Sequence, residues 1–134
     1  MNKVKRHMAA WWPTALVVGV ILYATLNSDP VGADRFPAIP HLDKLIHAIM
    51  FGGLFSAISF DRRRDGHALT AGSLVLFAAI SVVAGALDEV LQQALENGRS
   101  GDILDWLADT AGIIIAYFTA PPVINHIFRN KNIR

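Results

Sequence analysis

Asp43, Lys44 and His47, then Asp88, Glu89 and Gln92, then Arg99, Asp102, Asp105 and Asp109 are the residues of this chain whose types and spacings can do chemistry. In a helix each residue turns by about 100°. Lys44 and His47 then share a face, as do Asp43 and His47, Asp88 and Gln92, and Glu89 and Gln93. The spacing of three and four from Asp102 through Asp105 to Asp109 makes one acidic stripe, with Asp109 about 10 Å along the axis from Asp102. An imidazole titrates near neutrality, so His47 is a candidate general acid or base, with Asp43 to orient its ring and Glu89 and Asp105 as the working carboxylates. Arg99 and Lys44 suit an anionic group such as a phosphate; Gln92, Asp102 and Asp109 complete the candidate binding set. Asp43 and Asp88 are assigned structural or metal-binding roles. Carboxylates with one imidazole suit magnesium, manganese or zinc, although the chain has no compact metal motif such as H-E-x-x-H.

These groups stand against long apolar runs. The chain has 134 residues, 53% hydrophobic and only 17% charged, where a soluble domain carries about 25% charged residues. Mean hydropathy is +0.39. Together the figures predict a single-domain membrane protein. A net charge of +1 argues against a nucleic-acid binder, and the absence of cysteine excludes disulfides, thiolate zinc sites and cysteine nucleophiles.

A spanning helix needs roughly 20 mostly apolar residues, and four stretches approach that length. The first, residues 8–26, carries no charge and opens on Trp11 and Trp12, the residues of an interfacial aromatic belt. A cleaved signal peptide is the rival reading, but "YATLNSDP" offers no good small-x-small cleavage site, so a retained helix is preferred. The second runs over 42–60. The third begins at 68 and continues to about 95, where Asn97-Gly98 provides a stop. The fourth runs over 103–120, capped by Ser100 or Asp102 and ended by Pro121-Pro122. The runs are continuous rather than alternating, which disfavours strands. The expected fold is an all-α bundle of four transmembrane helices.

Charge orients that bundle. Basic residues of short loops favour the cytoplasm. Nine of the twelve lie on one side: Lys3, Lys5, Arg6, Arg62, Arg63, Arg64, Arg129, Lys131 and Arg134. Both termini and the "DRRRDGH" segment (Asp61 to His67) are therefore expected in the cytoplasm, the segment acting as a topology determinant. Nine of the eleven acids take the other side. The polar set then lies at the outer face, contributed by the second, third and fourth spans, while the first span packs. Ionisable groups inside a membrane normally face the bundle interior or a wet cavity.

Three segments carry a family resemblance. "LDKLIHAIMFGGL" (Leu42 to Leu54) resembles the D-K-x-x-H-x-x-x-F element of the VanZ-like family. "GALDEVLQ" resembles its G-x-x-D-E-x-x-Q element. "GRSGDILDWLADTAG" resembles its R-x-x-D-x-x-D-x-x-x-N-x-x-G element, with Asp109 standing where the family usually has asparagine. The elements follow in order, at the family's spacings, over about residues 40–116. The resemblance implies a small integral protein of the bacterial inner membrane, in a family whose founding member is associated with resistance to the glycopeptide teicoplanin. It implies a setting, the cell envelope, rather than a reaction.

Three functions fit. An envelope enzyme would act on a lipid-linked or cell-wall intermediate. A binding module would hold a lipid head group or glycopeptide, or dock an envelope protein, without catalysis. A small ion-coupled carrier would use His47 and Asp109, and four short helices would require it to form a homo-oligomer. Against all three stands a structural reading, in which the acids pair with Arg99, Lys44 or His47 to lock the helices. Ala68-x-x-x-Gly72 and Ser81-x-x-x-Gly85 permit close helix packing, though such spacings are frequent by chance. His7, His67 and His126 are expected at the surface and His41 near the site's mouth. Met50 and Phe51 are expected in the core. No serine or threonine stands in a nucleophile context, and there is no glycine-rich phosphate loop and no repeat.

Overall fold

A computed structural model describes residues 11–27, 39–95 and 102–131. Four helices follow in order: α1 (Trp12–Leu26), α2 (Leu42–Arg64), α3 (Ala71–Leu95) and α4 (Ile103–Lys131). No strand occurs among the described residues. The last three helices are long and apolar enough to cross a membrane; α1, with 15 described residues, is a shorter apolar helix.

The helix ends follow local chemistry. α1 begins with Pro13 in its first turn, where a missing N–H costs least. α2 runs four residues past the expected 60 and absorbs Asp61 to Arg64 from the supposed loop. It stops in a Schellman turn: Gly66 adopts φ +90°, with the Gly66 N–H donating to the Arg63 carbonyl and the His67 N–H to that of Arg62. At the other end His41 takes the N-cap position without a side-chain cap bond, and Asp43 sits inside the first turn. α3 starts at 71 rather than 68 because Thr70 and Ser73 cap each other: the Ser73 N–H donates to Thr70 Oγ1 and the Thr70 N–H to Ser73 Oγ. Asp102 caps α4, accepting the Leu104 N–H at 2.9 Å.

The expected stop of the fourth helix at Pro121-Pro122 is not met, since both prolines lie inside α4. Each removes one backbone hydrogen bond, yet the turns beyond them are held by α2. Ile124 is buried, Phe128 packs on Phe60 with ring centroids 5.3 Å apart, and Arg63 donates to Asn125.

The helices run alternately up and down, and α2 and α4 share the most extensive contact. Their backbones touch. A Cβ on Gly112 would collide with the Ala48 carbonyl, and one on Gly52 would lie 2.8 Å from the Gly112 oxygen. The core is built from Ile21, Phe51, Leu54, Phe55, Ile58, Phe77, Ile113 and Ala116, with Met50 packed against it. The outside is apolar as well: Val75, Leu76, Ile115 and Phe118 are each more than half exposed. A surface of that composition requires hydrocarbon rather than water around it.

Candidate functional site

The polar residues assemble at one end of the bundle. The second and fourth helices supply most of them from their first two turns, the third from near its end. Side-chain exposure falls steadily inward: 50% at Asp43, 25% at Lys44, 14% at Asp105, 11% at Glu89, 5% at His47 and 0% at Asp109. The stripe of Asp102, Asp105 and Asp109 thus runs from rim to core, the depth expected from helical rise.

At the rim, Lys44 Nζ donates to Asp43 at 3.0 Å and to Asp105 at 3.1 Å, and lies 3.6 Å from Asp102. Deeper, His47 is surrounded by carboxylates. Nδ1 is hydrogen-bonded to Asp109 Oδ1 at 2.9 Å and lies 4.0 Å from Glu89 Oε1, while Nε2 lies 3.8 Å from Asp105 Oδ2. The ring is therefore oriented by Asp109, Glu89 and Asp105, not by Asp43, which pairs with Lys44. Glu89 is held by its other oxygen, which accepts the Asp102 N–H at 2.7 Å. Glu89 Oε1 and Asp109 Oδ2 are buried without a hydrogen-bond partner among the described residues. One donor atom each from His47, Glu89 and Asp109 lies within 4.8 Å of the other two, close enough to share a cation after a small contraction.

Asp88 and Gln92 form a separate pair beside this cluster. Gln92 Nε2 donates to Asp88 Oδ2 at 2.9 Å, and Thr25 Oγ1 approaches Asp88 Oδ1 at 2.7 Å, sharing its one proton with the Ile21 carbonyl. The first helix therefore does bring a polar group to this end, contrary to expectation. A lone threonine in an apolar helix gives no sequence signal of its partner 63 positions away. Arg99 lies outside the described residues. Gln93 is exposed.

Two further features support the arrangement of the helices. Gly85 is where α3 meets α4: its missing Cβ would stand 2.9 Å from Asp109 Oδ2 and 3.4 Å from Trp106. Ser81-x-x-x-Gly85 thus serves packing within the chain, whereas a Cβ on Gly72 would meet no other described element within 4 Å. At the opposite end, Asp61 is fully buried and accepts both the backbone N–H and the hydroxyl of Thr14, at 2.9 and 2.6 Å. From the sequence, Asp61 is expected at the start of the cytoplasmic segment rather than in the core. Its spacing from Ile58, Phe55 and Phe51 along one helix face is the signal that could have found it.

A groove of about 470 Å³ is at that opposite end too, lined by apolar residues such as Pro13, Phe60 and Ile124. A smaller one, about 160 Å³, lies between α1, α2 and α3 and has Asp88 as its one charged wall residue. His67 and His126 are exposed, as is His41.

A family model described as VanZ/LLP1 matches residues 3–128. No curated protein and no solved structure shows a significant match.

Proposed function

The chain belongs to the VanZ/LLP1 family and is a membrane protein, and from that premise we propose that its polar end binds the head group of a lipid-linked or cell-wall intermediate at the outer face of the bacterial inner membrane. The observation that carries this reading is the inward gradient of charged side chains from three helices, ending on a histidine ringed by carboxylates. Costly groups concentrated in this way inside an apolar bundle mark functional sites. Lys44 at the rim is the described cation placed to meet an anionic group, and the same role is assigned to Arg99, which lies outside the described residues. His47 would act as acid or base on a bound molecule, with Glu89 and Asp105 as its carboxylate partners.

The hydroxyls near the site are already engaged: Thr25 with Asp88 and Ile21, Thr110 with the Trp106 carbonyl. This favours binding over covalent catalysis by a hydroxyl nucleophile, and it supports a non-catalytic module as the second reading. A teicoplanin-related role would follow from occupation of the same envelope precursors. The test uses protein in lipid nanodiscs and a radiolabelled polyprenyl phosphate. Retention that falls on Lys44→Ala supports the reading, and equal retention by wild type and variant removes it. Recovery of the lipid unchanged makes the protein a binding module; release of product makes it an enzyme.

A further inference from the structure

The buried end of the cluster carries unbalanced charge. Lys44 already serves Asp105, Asp43 and Asp102 at the rim. Among the described residues the His47 imidazole is the one basic group facing Glu89 and Asp109, and each carboxylate retains one buried oxygen with no described hydrogen-bond partner. Asp109 is fully buried. An unpartnered carboxylate oxygen in a low-dielectric interior is expensive.

We propose that His47 Nδ1, Glu89 and Asp109 bind one divalent first-row transition ion. Metal–ligand distances near 2.1 Å allow two ligand atoms to stand no more than about 4.2 Å apart. The Nδ1 to Asp109 distance of 2.9 Å and the Nδ1 to Glu89 distance of 4.0 Å both satisfy this limit. The three donor atoms lie within 4.8 Å of one another, so a shift of under about 1 Å closes the set around an ion. Two carboxylates and a neutral imidazole match a charge of +2. An imidazole ligand favours manganese, iron or zinc over magnesium or calcium, which take oxygen.

The supporting contacts are those a metal site needs. With Nδ1 on the ion, the ring proton resides on Nε2, which lies 3.8 Å from Asp105 Oδ2, an ion-pair distance that must shorten by roughly 0.8 Å to become a hydrogen bond. Asp105 is in turn held by Lys44 at 3.1 Å. Carboxylates that accept the far N–H of a ligand histidine fix its tautomer and orientation. Glu89 is anchored through its second oxygen by the Asp102 N–H. Three protein ligands leave positions open for water or for a phosphate oxygen. The site itself stands on this geometry, while its use in holding an anionic head group rests on the function proposed above.

The test is equilibrium dialysis of the full chain in detergent, stripped with chelator and then exposed separately to Mn²⁺, Zn²⁺ and Mg²⁺. The expected result is about one Mn²⁺ or Zn²⁺ per chain, with affinity at least about tenfold lower in Glu89→Gln and Asp109→Asn. Mg²⁺ should bind more weakly than either, and Gln93→Ala should bind as wild type does. No ion retained by the wild type, or undiminished retention by both variants, overturns the site. Should the variants misfold, electron spin-echo spectroscopy of Mn²⁺ on the wild type decides: coupling to an imidazole ¹⁴N is expected, and its absence overturns the assignment. Polyprenyl phosphate binding is measured with and without the metal. Metal retained without any lipid binding removes the head-group reading and leaves the metal site standing. Equal lipid binding by stripped and loaded protein overturns the metal's role in holding the head group.

Discussion

Asp61 shows how much a single buried carboxylate can do. Its two bonds to Thr14 satisfy a donor in the first turn of α1 and place a negative charge at that helix's positive end. It is an N-cap supplied from 47 residues away. Asp61→Ala should lower stability by about 2–3 kcal/mol, and Thr14→Val, which keeps the backbone bond, by about 1 kcal/mol. Unfolding in detergent measures both, and an Asp61→Ala protein as stable as wild type would discard the cap. The same residue marks the limit of what could be read in advance. Lys44, His47, Asp105 and Asp109 were legible because helical spacing alone places each set on one face. Thr14, Thr25 and Asp61 were not, because their partners depend on which helix lies beside which, and no spacing within one segment encodes that. The acids were legible as a group, but their division into a cluster around His47 and a separate Asp88–Gln92 pair required the packed bundle.

At the scale of the helices, glycine placement decides how closely the bundle packs. Gly112 and Gly52 let α2 and α4 touch through their backbones, whereas nothing lies within 4 Å of a Cβ on Gly53. Gly112→Ala should therefore push the two helices apart and cost at least about 1–3 kcal/mol, as overpacking does. Gly53→Ala, on α2 beside Gly52, should be neutral or stabilising by up to about 1 kcal/mol. A thermal midpoint for Gly112→Ala equal to that of Gly53→Ala would mean the contact is looser than described. Helix existence was evident from the apolar runs; helix ends were less so. The Pro121-Pro122 stop failed because propensity is local, while the contacts of Ile124, Asn125 and Phe128 with neighbouring elements come from tertiary structure. The Gly66 turn, by contrast, is local chemistry, yet "DRRRDGH" reads as a loop until Asp61 is seen to face inward.

For the whole molecule, orientation follows from where the basic residues lie. The end that holds Arg62, Arg63, Arg64 and Arg129 is expected in the cytoplasm, and the cluster end outside. The chain contains no cysteine, so single cysteines report topology without background. In intact cells, a membrane-impermeant thiol reagent should label Gln93→Cys and spare His67→Cys; the reverse pattern would invert the protein and move the head-group site to the cytoplasm. The backbone contact between α2 and α4 bears on motion as well. Two helices locked at Ala48 and Gly112 travel as one body, and that body carries Lys44, His47, Asp105 and Asp109 together. Glu89 alone among the groups around the imidazole rides on α3, so a swing of α3 would change how many carboxylates His47 sees while leaving the rest of the site intact. Spin labels should report a narrow distance distribution between α2 and α4 and a broader one between α2 and α3; equal widths would mean that Glu89 is as fixed as its neighbours. On this geometry the reach of one glutamate is set by how firmly Gly85 and the Asp102 N–H hold the third helix against the fourth.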